Sequence, residues 1–294
     1  MRKHDFGGSW TDDKLERVRK YLVAYTTIFT KNLAASRLTT YYVDAFAGTG
    51  YRSKPDQKGP QNTLFPELAE TDAQNLMKGS ARIALEVDPP FKRYLFIEQK
   101  PKYVHELENL KNEFPDKADR VEIVCAEAND YLKKWCKGLD WRHTRAVVFL
   151  DPYGMQVDWS LIEALAKTEA IDLWLLFPLG AISRLLTKGK PPPEEWADSL
   201  TRIFGSADWE RSFYAHKKQP TLFGDEFISD KSASFDSIAQ FFVARLKTVF
   251  TAVAEKPLQL MNSKNVPLYL LCFAVGNPKG APTALNIANY ILKA

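Results

Sequence analysis

The chain has 294 residues, of which 45% are hydrophobic, 26% charged and 13% aromatic. This composition excludes disordered and fibrous proteins, and the length allows one large α/β domain with a sizeable core. The formal net charge of +4 permits a polyanionic partner such as nucleic acid without requiring one.

The first predicted element is a long amphipathic helix over residues 11–34, where apolar residues recur at helical spacing. Thr11 is a residue type that caps helix N-termini. Four basic residues fall within this helix, and we expect them to form a solvated outer face, with contact to phosphate as the alternative. They are Lys14, Arg17, Lys20 and Lys31.

Five short apolar runs then alternate with helical segments, which predicts a doubly wound parallel sheet. The predicted strands are residues 41–46, 93–98, 121–125, 146–151 and 171–177. The predicted helices between them cover about 80–87, 101–113, 128–137 and 159–167. Residues 51–79 are polar and carry Gly and Pro. They are too many for a simple strand-to-helix turn, so we interpret them as an insertion.

The second half of the chain breaks the alternation. Residues 178–230 are predicted to be a helical insertion on the substrate side, with short helices at 181–187, 194–204 and 208–214. A stronger helix is predicted at 232–254, and strand-like runs at 257–262 and 267–275 predict an antiparallel hairpin. The predicted architecture is one domain over residues 1–294, built on a mostly parallel, seven-stranded, Rossmann-like sheet.

The first strand ends in a glycine-containing turn, Asp44-x-Phe46-x-Gly48-x-Gly50. Glycine lets the backbone approach a ligand closely and adopts positive φ angles readily. In open parallel sheets, ligands bind beyond the carboxyl ends of the strands, where the strand order reverses. We therefore predict that this turn holds the methionine end of S-adenosylmethionine, with Asp44 facing its ammonium group and Phe46 beside it.

Acids also close the second strand and follow the third. Glu98 can accept hydrogen bonds from both ribose hydroxyls of a cofactor. In the dinucleotide fingerprint an acid follows the glycines by about 20 residues. Glu98 lies farther than that from Gly48 along the chain, and the insertion at 51–79 accounts for the difference. Glu127 can reach the adenine amine while the Ala128 amide meets a ring nitrogen. Capping of the following helix by Glu127 and Asn129 is the alternative.

The fourth strand ends in Asp151-Pro152-Tyr153-Gly154. A carboxylate and the Pro152 carbonyl can accept hydrogen bonds from an exocyclic amine and so aim its lone pair, and Tyr153 can stack on a base. We therefore predict Asp151, Pro152 and Tyr153 as catalytic residues that act by orientation and electrostatics. The base would be flipped out or unpaired. A plain strand-ending turn is the alternative.

The histidines and cysteines predict no further site. The four histidines lie far apart without ligand spacing, so no metal site is predicted. Three cysteines with no CxxC pair give no disulfide framework, which favours a cytoplasmic location. Cys125 and Cys272 lie within apolar strands and are predicted to be core residues. No apolar run near 18 residues predicts a membrane span, and the first residues do not resemble a signal peptide.

Five segments, taken in order, resemble the three-Cys-motif partner (TcmP) family. They are residues 42–50, 79–81, 96–98, 149–154 and 172–178. The likeness covers nearly the whole chain. It implies a class I methyltransferase-like fold and a partner protein with a three-cysteine motif that looks like a radical-type iron–sulfur enzyme. Amino-methyltransferases that act on bases usually carry Asp/Asn-Pro-Pro-aromatic, whereas this chain has Asp-Pro-aromatic-Gly. The latter is similar to the motif of transfer-RNA guanine-N2 methyltransferases, which argues against adenine as acceptor.

The sequence therefore predicts an S-adenosylmethionine-dependent N-methyltransferase that acts on an exocyclic amine of a nucleic-acid base. One alternative is a methyltransferase fold that has lost catalysis and serves its partner protein. Another is a methyltransferase for a protein or small molecule, which a neutral cleft mouth would favour. A dinucleotide oxidoreductase is disfavoured because GxGxxG is absent.

Overall fold

The computed structural model describes residues 9–49, 79–188, 190–221, 224–262 and 264–293. Gly50 and the predicted insertion, apart from Gly79, lie outside the described residues. The described helices are α1 (Ser9–Lys31), α2 (Ser80–Glu86), α3 (Pro101–Asn112), α4 (Ala128–Gly138), α5 (Trp159–Ala166), α6 (Leu179–Leu185), α7 (Glu194–Phe204), α8 (Asp208–Phe213), α9 (Phe235–Lys247) and α10 (Ala281–Lys293). The described strands are β1 (Thr39–Asp44), β2 (Arg93–Glu98), β3 (Val121–Cys125), β4 (Thr144–Leu150), β5 (Ile171–Phe177), β6 (Tyr214–Thr221), β7 (Gly224–Lys231), β8 (Ala252–Val253), β9 (Leu258–Met261) and β10 (Pro267–Val275).

Eight of these strands form one sheet in the order β3-β2-β1-β4-β5-β10-β8, and β9 also pairs with β10. Strands β1 to β5 are parallel, whereas β10 runs antiparallel to β5. β8 and β9 both pair with β10 on the side away from β5, so they share the outermost of seven positions. The predicted doubly wound, mostly parallel sheet with an antiparallel C-terminal hairpin is confirmed.

Helices cover both faces of this sheet. Side chains alternate between the faces along each strand, and the central strands are buried on both, as parallel strands usually are. Val43, Leu95 and Val148 belong to the cluster that α4, α5, α6, α7 and α9 cover. Tyr42 and Phe149 belong to the opposite cluster, which α1, α2, α3 and α10 cover. Asp44 and Asp151, two residues further along their strands, therefore continue the α1 side.

Helix α1 is fixed to that second face by aromatic and polar contacts. The Tyr21 ring lies 5.4 Å from the Trp174 ring and 5.0 Å from the Phe273 ring, measured between centroids. Its hydroxyl donates a 2.6 Å hydrogen bond to the Asp172 carboxylate. These contacts hold α1 against β5 and β10 and thereby position its first turns.

The prediction that residues 178–230 are helical is wrong in its last part. After α6, α7 and α8 the chain forms the antiparallel pair β6 and β7, in which Tyr214 is opposite Lys231 and Thr221 is opposite Gly224. This pair forms a separate two-stranded sheet. A ribbon of two strands need not bury one face, and the polar sequence between 215 and 226 carries no regular alternation of apolar residues to reveal it.

Helix boundaries also differ from the prediction. α1 runs from Ser9 to Lys31 instead of 11–34, so Thr11 lies inside the helix and does not cap it. The helix predicted at 232–254 is shorter, because α9 begins after a capping box between Ser234 and Ser237 and ends at Lys247, before the chain enters β8. α10 at the C-terminal end was not predicted. None of the helices in the described part of the chain is both long and apolar enough to cross a membrane.

Candidate functional site

The carboxyl ends of β1, β2 and β4 lie side by side at one edge of the sheet. β1 pairs with β2 on one side and with β4 on the other, and Asp44 is level with Phe96 and Phe149. The strand order reverses between β1 and β4, which is where open α/β sheets bind ligands. The turn after Asp44, the end of β2 at Glu98 and the start of the loop at Asp151 are therefore neighbours.

The turn after β1 is held between the two neighbouring strands. The Ala45 amide donates a 3.2 Å hydrogen bond to the Phe149 carbonyl, and the Ala47 amide donates one of 3.0 Å to the Ile97 carbonyl. Gly48 then adopts a φ of +59°, a left-handed conformation that costs glycine little. The backbone shape expected from the DxFxGxG pattern is therefore present at Gly48.

Glu98 is buried, with 7% of its surface exposed, and it accepts two backbone hydrogen bonds. Oε2 accepts from the Gly48 amide at 3.1 Å, and Oε1 accepts from the Lys100 amide at 2.8 Å. A carboxylate has about four lone-pair positions, so both oxygens keep capacity for further donors such as hydroxyls. Glu98 thus fixes the glycine turn and retains the chemistry that a ribose would need.

Glu127 caps helix α4, as the alternative interpretation expected. Its carboxylate accepts from the Asn129 and Asp130 amides at 2.9 and 2.8 Å, and from the Asn129 side chain at 2.7 Å. These bonds use most of its acceptor capacity. Ala128 is the first residue of α4, where an amide has no partner inside the helix. The backbone of Ala128 is therefore the better placed of the two to meet a ligand.

Asp44 is fully buried at the end of β1. Burial raises its pKa to about 7, a hydrogen bond from the Ser80 side chain opposes the rise, and repulsion from Asp151 adds to it. The Phe46 amide also donates to Oδ1 at 3.3 Å, and Phe46 itself is half-buried. Ser80 is the first residue of α2, and Gly79 is the N-cap.

Lys14 enters this site from α1, so the prediction that it lies on a solvated face is wrong. Its Nζ is 2.6 Å from Oδ2 of Asp151, and the two side chains are 0% and 3% exposed. Nζ also lies 5.4 Å from the centroid of the Phe149 ring. Burial lowers the pKa of Lys14 and raises that of Asp151, and their mutual attraction opposes both shifts. Arg17 is buried too and donates to the Ile291 carbonyl.

The loop after Asp151 is organised by Asn129, which the sequence analysis did not place in the site. The Asn129 side chain donates to the Gln156 carbonyl at 2.8 Å and accepts from the Asp158 amide at 2.9 Å. The Gln156 side chain in turn accepts from the Tyr153 amide at 3.0 Å. An amide side chain directly after a predicted strand was the available signal, because it can donate and accept at once.

Pro152 is buried and Tyr153 is half-buried, so the residues predicted to be catalytic begin inside the protein and approach its surface at Tyr153. Asp151 itself is only 2% exposed. A ligand can contact this carboxylate only when neighbouring residues move.

Cys125 and Cys272 have different environments. Cys125 is exposed, so its prediction as a core residue is wrong. It ends β3, which lies at the edge of the sheet. Cys272 is buried in β10, as predicted.

Comparison with known proteins gives the fold. No family model matches the chain, and no curated protein matches it. Among solved structures, protein LPL1258 from Legionella pneumophila str. Philadelphia 1, of the DUF519 family, superposes with a TM-score of 0.50 at 10% identity, over 99% of this chain and 93% of that one.

Two further solved structures give lower TM-scores. The methyltransferase domain of bacterial CtHen1 gives 0.37 at 11% identity, over 88% of this chain and 99% of that one. Spermidine synthase from Thermotoga maritima gives 0.38 at 11% identity, over 92% of this chain and 60% of that one. The strand order and the likeness to the Legionella protein give a mostly parallel, Rossmann-like α/β fold. The three-Cys-motif partner family is not shown by these matches and stays a prediction.

Proposed function

We propose that this protein is an S-adenosylmethionine-dependent methyltransferase whose acceptor is an exocyclic amine of a nucleic-acid base. The observation that carries the proposal is the convergence of Gly48, Glu98 and Asp151 on three neighbouring strand ends at the point where the strand order reverses.

The residues at this edge fit the chemistry of the cofactor. Glu98 offers acceptors to ribose hydroxyls, and the positive φ at Gly48 lets the backbone come close to a ligand. Among the described residues, two buried acids, Asp44 and Asp151, face Lys14, so this part of the site favours a ligand with a net positive charge. When bound, the cofactor supplies a methyl group on a positively charged sulfur, from which a nucleophile can take it in line.

The chain's own residues would then orient the acceptor. Asp151 and the Pro152 carbonyl accept hydrogen bonds from the amine, which turns its lone pair away from the ring and towards the methyl group. Tyr153, at the half-buried rim, stacks on the base. Orientation of this kind accelerates methyl transfer through fixed geometry and preorganised charge, so the mechanism needs no separate general base.

A test is the transfer of labelled methyl groups from S-adenosylmethionine to total RNA and to DNA, with a protein fraction in parallel. We expect label in a nucleic acid with wild-type protein and with Asp130→Ala, an exposed acid on α4, and none with Asp151→Ala. Label that enters only the protein fraction, or that persists in Asp151→Ala, contradicts the proposal.

The burial of Asp151 under Lys14 favours a second candidate function. In this alternative the chain keeps the methyltransferase fold without transfer and serves a partner, which the resemblance to the TcmP family implies to be a three-cysteine-motif iron–sulfur protein. Binding of S-adenosylhomocysteine by wild-type protein, together with no labelling of any fraction, supports this candidate instead of the first.

A further inference from the structure

The ion pair between Lys14 and Asp151 joins two elements that are far apart in the chain. Lys14 lies near the start of α1, whereas Asp151 follows β4, 137 residues later. Lys14 is seven residues before Tyr21, so both lie on the stripe of α1 that faces the sheet. Each of these side chains is aimed at a buried acid, Lys14 at Asp151 and Tyr21 at Asp172.

Stability alone is a weak explanation for such a pair. Removing two charges from water carries a large desolvation cost, and apolar replacements of buried pairs are often neutral or stabilising. The Lys14 ammonium lies against the Phe149 ring with no exposed surface, where an apolar side chain would also pack. The placement of the pair at the ligand-binding edge of the sheet favours a role in the chemistry of Asp151.

The surroundings of Asp151 show what Lys14 opposes. Burial disfavours a charged carboxylate at Asp151, and repulsion between the two acids raises the pKa of the neighbouring Asp44. The Tyr42 phenol of β1 also faces this pair of acids. In the part of the chain that the structure describes, Lys14 is the cation paired with Asp151. The Lys14 ammonium donates a hydrogen bond to Oδ2 of Asp151, and this is the bond that the described residues make to that carboxylate.

We propose that Lys14 is a positioning residue for methyl transfer, which fixes Oδ2 of Asp151 and keeps the carboxylate ionised so that Oδ1 accepts a hydrogen bond from the acceptor amine. This inference rests on the proposed function. It gives α1 a part in the reaction site, although the residues predicted to be catalytic all follow β4.

The test compares Lys14→Met, which removes the charge, with Lys14→Arg, which keeps it, and with Lys20→Met, an exposed position on the same helix. Carboxyl carbon NMR, with Asp151→Asn for assignment, reports the titration of Asp151 directly. We expect its midpoint to rise by at least about one pH unit in Lys14→Met, because an adjacent opposite charge lowers a carboxyl pKa by about 1–3 units. Lys14→Arg and Lys20→Met should stay near wild type.

Activity gives a second measurement. On the nucleic acid that wild-type protein labels, the acid limb of the kcat profile should move to higher pH in Lys14→Met by the same amount, while the affinity for S-adenosylhomocysteine changes less than about twofold. If Lys14→Met does not fold, Lys14→Gln, which keeps a donor for Oδ2 without a charge, replaces it.

An unchanged Asp151 midpoint in the uncharged variant overturns the role of Lys14, and so does an unchanged pH profile. If wild-type protein does not bind S-adenosylhomocysteine, the proposed function fails first, whatever the NMR titration gives. The two failures are therefore distinguishable.

Discussion

The backbone amide of Gly48 donates a 3.1 Å hydrogen bond to the carboxylate of Glu98, across 50 residues of sequence. This bond ties the turn after β1 to the end of β2, so the shape of the turn and the orientation of the acid depend on each other. The proposed cofactor site rests on this relationship more than on either residue alone.

Replacing Gly48 by alanine should weaken cofactor binding. A side chain at a φ of +59° costs about 1–2 kcal/mol, and relief of that strain turns the amide away from Glu98. We expect the dissociation constant for S-adenosylhomocysteine, measured by calorimetry, to rise about tenfold, since about 1.4 kcal/mol corresponds to a factor of ten. Gly138→Ala is the control, because a Cβ there would meet nothing within 4 Å. Equal affinity in both variants would contradict this prediction.

Binding of S-adenosylmethionine should release a proton near neutral pH. Burial raises the pKa of Asp44 to about 7, so this carboxyl is about half protonated at that pH in the free protein. A bound cation favours the ionised form and lowers the pKa. Affinity should therefore increase from pH 6 to pH 8, and calorimetry in buffers of different ionisation enthalpy should detect the released proton.

Asp44→Asn should remove most of this pH dependence. S-adenosylhomocysteine keeps the ammonium group that Asp44 is predicted to face, so with wild-type protein it should also release a proton. Proton uptake on binding would show that Asp44 does not face the cation.

The buried pair of Tyr21 and Asp172 should make the fold less stable as the pH rises. Burial raises the pKa of Asp172 from 3.8 to about 7, and the hydrogen bond from Tyr21 opposes this. A carboxyl whose pKa is raised in the folded state contributes stability that is fully present below about pH 4 and is lost as the pH rises through 7. Between pH 5 and 8 the loss should be about 2 kcal/mol.

Thermal unfolding at several pH values measures this loss. Asp172→Asn keeps an acceptor for the Tyr21 hydroxyl without an ionisable group, so its melting temperature should fall less over the same range. Asp198→Asn, at an exposed position of α7, should follow wild type. A wild-type melting temperature that rises between pH 5 and 8 would be inconsistent with an Asp172 that is neutral in the fold.

Two glycines with similar backbone angles should respond differently to alanine. Gly205 ends α7 at a φ of +66°, and a Cβ there would overlap the Trp159 ring. Gly154 has a φ of +74°, and a Cβ there would meet nothing within 4 Å. Gly154→Ala should cost about 1 kcal/mol from backbone strain alone, and Gly205→Ala at least about 2 kcal/mol more because of the overlap. Urea denaturation measures both, and equal losses would show that the Trp159 ring moves aside freely.

The sequence predicted the sheet because its central strands are uninterrupted apolar runs with clear ends. The bounds of β2, β3 and β5 were predicted as observed. β2 ends at a charged residue, β3 ends at a cysteine before a polar turn, and β5 ends before a proline. β1 and β4 begin two residues earlier than predicted, because polar residues such as Thr40 and Arg145 pair in the ladder without extending the apolar run.

The interior of the site was less predictable. Lys14 lies in a helix rich in charged residues, where a lysine normally indicates a solvated face. Its burial depends on the register of α1 against the sheet, which brings it level with an acid more than a hundred residues away. Asn129 was missed for a similar reason, since its partners Gln156 and Asp158 follow the next strand. Such contacts are set by tertiary packing, so no local pattern identifies the partners of these side chains.

The central claim is that the edge formed by β1, β2 and β4 binds the methyl donor, and calorimetric titration with S-adenosylhomocysteine tests it most directly. We expect micromolar binding by wild-type protein and by Glu255→Ala, an exposed acid that follows β8 at the opposite side of the sheet, and at least about a hundredfold weaker binding by Glu98→Ala. Equal binding by Glu98→Ala and wild type, or no binding by wild type, would contradict the account.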